Sequence, residues 1–488
     1  MNKLILIAGL IILCCCAVPA QAQDAVYSLS IPEDNPHLVK VESRFTLRDE
    51  ELFMVDWGAE HLPNHWATFL QNLQLKDAAG KAIALDALKP DRWKVKAPLG
   101  QPVTLTYEIV LKHADYSWPV KDREAAYARD WGVFYVCRGL FILNSSKAQN
   151  IEIDFALPKS WHISAPWKKN LKANSFTATD VRDLLQAVIF AGTHVEFSIK
   201  EKDVEIVFAL GGEPIIAARD MFEKVVREVL SAYLEMFGGA PPDSRMLIVV
   251  NPEYKYESGG GVFGRSISMT FREVPSKESI AVWGHTFSHE IFHLWNGVAI
   301  GVATAEEEWF KEGFTDYYSV LTMTRLGFFN ERVLLFKQSG KYADYFNHPA
   351  QLSFRKAGFE KSRYAGYIYG GGYAVAIALD LDIRQRTNHR KSLDHLMREL
   401  YQEYGNTGKR LTMNVLLEKV NRLTGADYSD FFKRYVDGAE RLRLDEYLSH
   451  AGISLKIDNN RVNGFGAITK KPNPTEAEQA FLSKYLSR

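Results

Sequence analysis

The sequence predicts a multidomain α+β protein, on three observations. Its 488 residues suffice for roughly two to four compact units. The first third alternates apolar and polar residues with period two, as half-buried strands do, whereas the last third repeats its apolar residues at helical spacing. Between them, Ser279 to Leu326 combines helical periodicity with histidines and carboxylates spaced along one face. With 47% apolar residues and no low-complexity tract, such units can bury cores of their own.

Residues 1–22 carry Lys3, an apolar stretch from Leu4 to Val18 and the small-residue pattern Ala20-Gln21-Ala22. This is the grammar of a secretory signal peptide, with cleavage expected after Ala22. Three of the four cysteines, Cys14, Cys15 and Cys16, would leave with it. A lipoprotein signal wants a small residue before the acylated cysteine; Leu13 precedes Cys14 and cysteines precede the other two, so lipidation is the lesser expectation. Cys137 then stands alone in the apolar run Val133 to Arg138, with no disulfide framework and no cysteine cluster for metal, and reads as a packed side chain rather than a catalytic thiol. No later segment offers the roughly 18 apolar residues of a membrane helix. The expected mature protein is soluble, periplasmic or secreted, with no integral membrane segment.

Residues 24–165 form the expected N-terminal β-rich, sandwich-like domain. Val39 to Leu47 and Val103 to Leu111 alternate, and Gly80 and Gly100 punctuate short runs. The aromatic-rich stretch Tyr127 to Phe141 is read as core packing, with the lining of a cleft as its alternative. Residues 166–330 mix a helix over Ala217 to Phe237, a buried strand over Arg245 to Val250 and the helices of Ser279 to Leu326. Residues 331–454 are helical, most clearly at Tyr373–Arg386, Leu393–Tyr404, Met413–Leu423 and Tyr428–Val436. Residues 455–488 read as a short polar tail. Lysine plus arginine and aspartate plus glutamate number 59 each, so no global field favours nucleic acid or anionic membranes.

The chemistry concentrates in Ser288-His-Glu-Ile-Phe-His-Leu-Trp-Asn296. Two histidines four apart on a helix are offset by only about 40°, so the rings of His289 and His293 can meet at one metal ion. Glu290 points off that axis and can reach a water in an open coordination position as its general base. Eighteen residues, Leu294 to Lys311, separate His293 from Glu312, the expected third ligand. Two histidines and a carboxylate leave a fourth zinc position for water, whereas a structural zinc is closed by four protein ligands. The competing pattern needs glycine and a third histidine where Asn296 and Ala299 stand. His285, one turn before His289, reads as packed behind the ligands. Asp316 and Glu308, one turn either side of Glu312, are candidates for orienting them, with solvation on a charged helix as the alternative. Gly259-Gly260-Gly261 ahead of Val262 to Met269 is either a strand edge that a substrate backbone can approach or a plain turn.

These residues resemble the glycyl aminopeptidase family of gluzincin zinc metallopeptidases. The likeness rests on HEIFHLWN at His289–Asn296, WFKEGFTDYY at Trp309–Tyr318, and LDLDIRQRT and SLDHLMREL at Leu379–Thr387 and Ser392–Leu400. It implies an N-terminal β domain, a thermolysin-like α/β zinc peptidase domain and a C-terminal α-helical region, with peptide or protein substrates and Zn2+ as cofactor. It also implies an oxyanion-stabilising tyrosine at Tyr369, with Tyr367 in reserve. Three departures follow. Phe263, in Gly260-Gly-Val-Phe-Gly264, stands where the family carries an amine-binding glutamate. Tyr369-Gly-Gly-Gly372 keeps the tyrosine of a Tyr-x-Lys-Gly element but lacks its lysine. The C-terminal PDZ domain of many members has no counterpart in residues 455–488. The expected function is therefore zinc-dependent peptide hydrolysis with Glu290 as base and with exopeptidase specificity in question; the alternative is a catalytically weak or inactive zinc-containing peptide-binding protein.

Overall fold

The computed structural model describes residues 23–118, 125–243, 245–405 and 407–487; the expected leader, residues 1–22, lies outside them. No helix among the described residues is long and apolar enough to cross a membrane.

The alternating segments pair as their patterns require. An eight-stranded sheet runs in the order 168–169, 175–180, 149–156, 25–30, 38–46, 102–110, 70–77, 82–83. Its neighbours are antiparallel except for Ala25–Ser30 beside Gln149–Ala156. Val41 faces Tyr107 across the ladder, and both are buried with Leu105, Ile109, Ile151 and Ile153, while Lys40, Glu42 and Glu108 lie on the opposite face.

A four-stranded sheet, ordered 127–129, 132–136, 188–192, 162–164, joins this unit to the rest. Strand Gly132–Val136 is buried at every position. Val133, Tyr135 and Cys137 pack inward on the first sheet, while Phe134 and Val136, with Phe190, meet Val207, Leu247, Val249 and Phe263 of the following unit. The aromatic stretch is thus a two-sided core, not a cleft lining. Burial pushes the Cys137 thiol far above its ordinary pKa and leaves it inert.

A five-stranded sheet follows, ordered 195–201, 204–210, 245–252, 266–271, 259–263. Its last two strands form a hairpin that turns at Gly264 (φ +50°), which places Gly259–Phe263 on the sheet edge. Helix Arg219–Phe237 packs beneath and stops at Gly238, whose left-handed φ of +75° suits a residue without Cβ. Helix Ile280–Phe292 packs against the edge strand of the sheet and against helix Glu308–Arg325.

Of the C-terminal helices, Glu331–Phe346, Ala365–Thr387 and Glu476–Leu486 pack on Glu308–Arg325. Leu393–Tyr404, Met413–Thr424 and Ser429–Tyr435 fall where the periodicity puts them. Helix Ala365–Thr387, by contrast, starts eight residues before the expected Tyr373 and runs through Gly370-Gly371-Gly372. Glycine is a poor helix former, but here close packing outweighs propensity. A Cβ on Gly313 would lie 2.3 Å from the Gly372 Cα, and one on Gly372 would lie 1.9 Å from the Trp309 carbonyl oxygen. Helices 308–325 and 365–387 therefore cross nearly backbone to backbone. Residues 455–488, read as a polar tail, form two short hairpin pairings and helix Glu476–Leu486, whose Phe481, Leu482 and Tyr485 are buried in the main core.

The crossing predicts opposite effects of two similar substitutions. Gly372→Ala should destabilise the protein by about 1–3 kcal/mol, since neither backbone can yield cheaply. Gly366→Ala, in the first turn of the same helix with only the Asp344 Cβ at 3.7 Å, should be neutral or stabilise by up to about 1 kcal/mol. Thermal unfolding midpoints of the two variants check this; equal midpoints would mean that the crossing has slack.

Candidate active site

His289 lies in the last turn of helix Ile280–Phe292 and His293 caps it. Their Nε2 atoms are 3.0 Å apart. Glu312, on the neighbouring helix, brings Oε2 to 3.2 Å from His293 Nε2 and 3.6 Å from His289 Nε2. All three side chains are buried.

The outer atoms of this group fix its protonation. The His289 Nδ1–H donates to Asp316 Oδ1 at 2.9 Å and the His293 Nδ1–H to the Asn296 carbonyl oxygen at 2.9 Å. Each partner accepts only, so the imidazoles, when neutral, both turn an Nε2 lone pair inward. Glu312 Oε2 is buried with no hydrogen-bond donor. Three electron pairs thus converge, an arrangement that repels itself unless a cation sits among them. In the absence of a metal a proton takes the place of that cation: burial opposes charge on His289, yet Asp316, Glu312 and Glu290 outweigh it and raise its pKa to about 10. Burial likewise opposes ionisation of Glu312, but His293, His289 and Lys361 hold its pKa far below the usual carboxylate range. The donor set fits a divalent metal.

Behind these three side chains lies a ring of ion pairs. Lys361 Nζ bonds Glu312 Oε1, leaving Oε2 for the centre, and sits 2.9 Å from Glu308 Oε2. Glu308 also takes Lys311 at 2.7 Å. Among the described residues it pairs with these two lysines, both of which also lie beside Glu312. Lys341 pairs with Asp316, and His285 Nε2 lies 3.2 Å from Asp316 Oδ1. His285, His289 and Asp316 are also close enough to share a metal, but Lys341 already balances that carboxylate and His289 offers it only an N–H. Burial and Lys337 drive the pKa of His285 down to about 3, so it stays neutral there.

The signals after the second histidine have local causes. Trp295 Nε1–H donates to the Gly239 carbonyl at 3.0 Å and its ring stacks on Phe237. Asn296 Nδ2–H donates to the Lys311 carbonyl at 3.1 Å and to Thr315 Oγ1 at 3.2 Å, which ties the histidine helix to the glutamate helix at their point of approach.

Glu290 is buried beside the edge strand: a Cβ on Gly260 would lie 2.7 Å from its Cγ and Oε1. The glycine run is therefore an edge strand passing directly over Glu290, and the turn sits beyond it at Gly264. Tyr369 stacks near His289, centroids 6.1 Å apart. Burial and then Glu312 push its pKa far above 10, so its phenol remains a donor. Tyr367 instead donates to the Leu352 carbonyl at 2.8 Å and packs on Phe354 and Tyr345, outside the site. Gly371, where the family's lysine is absent, faces Phe354: a Cβ there would lie 2.3 Å from its ring.

His289, Glu290, His293, Glu312, Gly260 and Tyr369 line a cleft of about 700 Å³ together with Gly261, Val262, Arg182, Lys409 and Arg410. Phe263 does not line it. Its side chain is buried with Phe134 and Val136, the Arg138 guanidinium 5.3 Å over its ring. Glu306 pairs with Arg355, and buried Glu307 caps Thr304 in a capping box, so neither replaces a carboxylate at Phe263. Sequence reasoning missed Lys341 and Lys361, which no local pattern links to residues 25 and 49 positions away. It also missed the cationic cleft residues Arg182, Lys409 and Arg410.

Comparison with known proteins bears on the whole chain. The peptidase M61 N-terminal domain matches residues 26–193 and the M61 glycyl aminopeptidase domain residues 283–362, together just over half of the chain. No curated protein matches. Among solved structures, an aminopeptidase N family protein from Idiomarina loihiensis superposes with a TM-score of 0.77 at 19% identity, over 90% of this chain and 81% of its own. An M1 zinc metallopeptidase from Deinococcus radiodurans gives 0.56 at 14% identity, over 86% and 95%. A mutant of that enzyme bound to a Tyr-Ser-Ala substrate gives 0.57 at 13%, with the same coverage. At these identities the superpositions speak to the fold alone. With the β-rich unit and the HExxH region both matched, the chain is a peptidase belonging to the M61 glycyl aminopeptidase family.

Proposed function

We propose that this protein hydrolyses peptide bonds with a zinc ion held by His289, His293 and Glu312, Glu290 as general base and Tyr369 as oxyanion donor. The observation that carries the reading is the convergence of two imidazole lone pairs and one unpartnered carboxylate oxygen beside a buried glutamate under an open strand edge. Zinc neighbours of the same fold support the choice of metal. When bound, zinc supplies Lewis acidity, which acidifies water and polarises a carbonyl.

The chain's own residues do the rest. Asp316 and the Asn296 carbonyl fix the two histidine tautomers, and Lys361 fixes one oxygen of Glu312. The edge strand Gly259–Phe263 offers backbone groups to an extended peptide, and Gly260 lets that peptide approach Glu290. Glu290 removes a proton from the attacking water and delivers it to the departing amine. The Tyr369 phenol donates to the carbonyl oxygen as negative charge develops there, an interaction worth more in the transition state than in the ground state. A buried glutamate placed to act as a base is what separates this reading from a peptide-binding protein without turnover, since binding alone has no use for one.

Metal content tests the ligand set: His293→Ala should lose zinc on dialysis, while the wild-type protein keeps about one equivalent. Full retention by the variant would remove His293 from the set.

Binding and chemistry separate in two further variants. Glu290→Gln should keep zinc and lose about 10²- to 10⁴-fold or more in turnover. Tyr369→Phe should also keep zinc and lower kcat about 10²- to 10³-fold with little change in KM. Unchanged turnover in Tyr369→Phe would leave oxyanion stabilisation to the metal.

Selectivity for a free amino terminus requires an acid aimed at the bound ammonium, and Phe263, Glu306 and Glu307 provide none. Acetylating a peptide's amino terminus should therefore cost little in kcat/KM. A loss beyond about 100-fold would reveal an amine anchor elsewhere and restore strict aminopeptidase specificity.

A further inference from the structure

The side chains around the cleft are strongly unbalanced in charge. The acids lining it are Glu290 and Glu312, while Arg182, Lys311, Lys361, Lys409 and Arg410 all face it. Lys311 and Lys361 are accounted for by Glu308 and Glu312. Lys409 and Arg410 make no ion pair among the described residues. They reach the cleft because strand Arg410–Leu411 pairs in parallel with Gly301–Val302, just past the metal-site histidines. The Arg410 guanidinium fills the space a side chain at Gly301 would take: a Cβ there would lie 1.8 Å from Nη1. Arg182 enters from helix Val181–Leu185 and, among the described residues, hydrogen-bonds Gln186 at 3.3 Å. It also feels Asp243, whose carboxylate lies 3.8 Å from Arg265. A divalent metal adds to the positive excess.

A low-dielectric cleft lined by one sign of charge concentrates ligands of the other. Guanidinium and ammonium groups recognise carboxylates through charge-assisted hydrogen bonds. We infer that this cleft selects peptides carrying a carboxylate close to the scissile bond, read by Lys409 and Arg410 together with Arg182. The carboxylate is that of an Asp or Glu side chain or of the peptide's own C terminus. The inference rests on the peptidase reading for its location but concerns binding, so it can be tested without turnover. It also fits the lack of a spare acid in the cleft: the same walls that attract a carboxylate repel an ammonium.

The test titrates labelled peptides of one length into Glu290→Gln protein supplied with zinc, followed by fluorescence anisotropy. The peptides carry Glu, Gln or Lys at one position, each with a free or an amidated C terminus. Glu should bind about tenfold tighter than Gln, with Lys weakest, and the spread should shrink as salt is raised. In Lys409→Gln/Arg410→Gln, added to the same background and melting at the parent's temperature, Glu and Gln peptides should bind within about twofold of each other. A preference that follows C-terminal amidation instead of the side chain, and vanishes in the double variant, assigns the carboxylate to the chain end. Equal affinities across the series in the unaltered cleft, tighter binding of the Lys peptide, or a preference that survives in the double variant overturns the inference. Should the double variant fail to fold, the Glu, Gln and Lys series on the unaltered cleft still decides. Carboxylate-dependent binding without hydrolysis by the zinc-supplied wild-type protein would defeat the peptidase reading and leave this one standing.

Discussion

Two buried carboxylates one turn apart on a single helix set the terms for the site. Glu312 and Asp316 lie at 3% and 1% exposure, where an unpaired negative charge is untenable. Each is therefore neutralised by its neighbours: Lys361 holds one oxygen of Glu312 while the other turns toward the histidine pair, and Asp316 lies between the His289 N–H and Lys341. The lysines come from elements C-terminal to the metal-site helices. The helical region is consequently part of the site's electrostatics rather than an appendage, and the glycine-lined crossing at Gly313 and Gly372 lets it come close enough.

The same crossing carries Tyr369 to the histidines. Glycine in mid-helix sacrifices propensity, about 1 kcal/mol per residue against alanine, and three successive glycines make the cost substantial. What is gained is position: with side chains at Gly313 or Gly372 the two helix axes would have to part, and Tyr369 would move away from His289 with them.

On the other side of the cleft, strand Gly132–Val136 and its neighbours serve two cores at once, packing Val133 and Tyr135 on the N-terminal sheet and Phe134 and Val136 on the catalytic sheet. Phe263 completes that second cluster from the edge strand. Its apolar side chain thus joins the β-rich unit to the strand over Glu290, and packing occupies the position where a carboxylate would stand.

Much of this was legible in the sequence. Period-two alternation located the paired strands, and helical spacing alone placed His289 and His293 on one face, because both depend on local geometry. The interval to Glu312 pointed to a third donor, and the resemblance singled out Tyr369. Tertiary structure decided the rest. Only packing shows that Gly370–Gly372 is helical, that Tyr369 faces the histidines while Tyr367 turns away, and that Phe263 leaves the cleft. Lys361, Lys341, Lys409 and Arg410 reach their positions through contacts distant in sequence, and electrostatic partners so far apart leave no periodic trace in the chain.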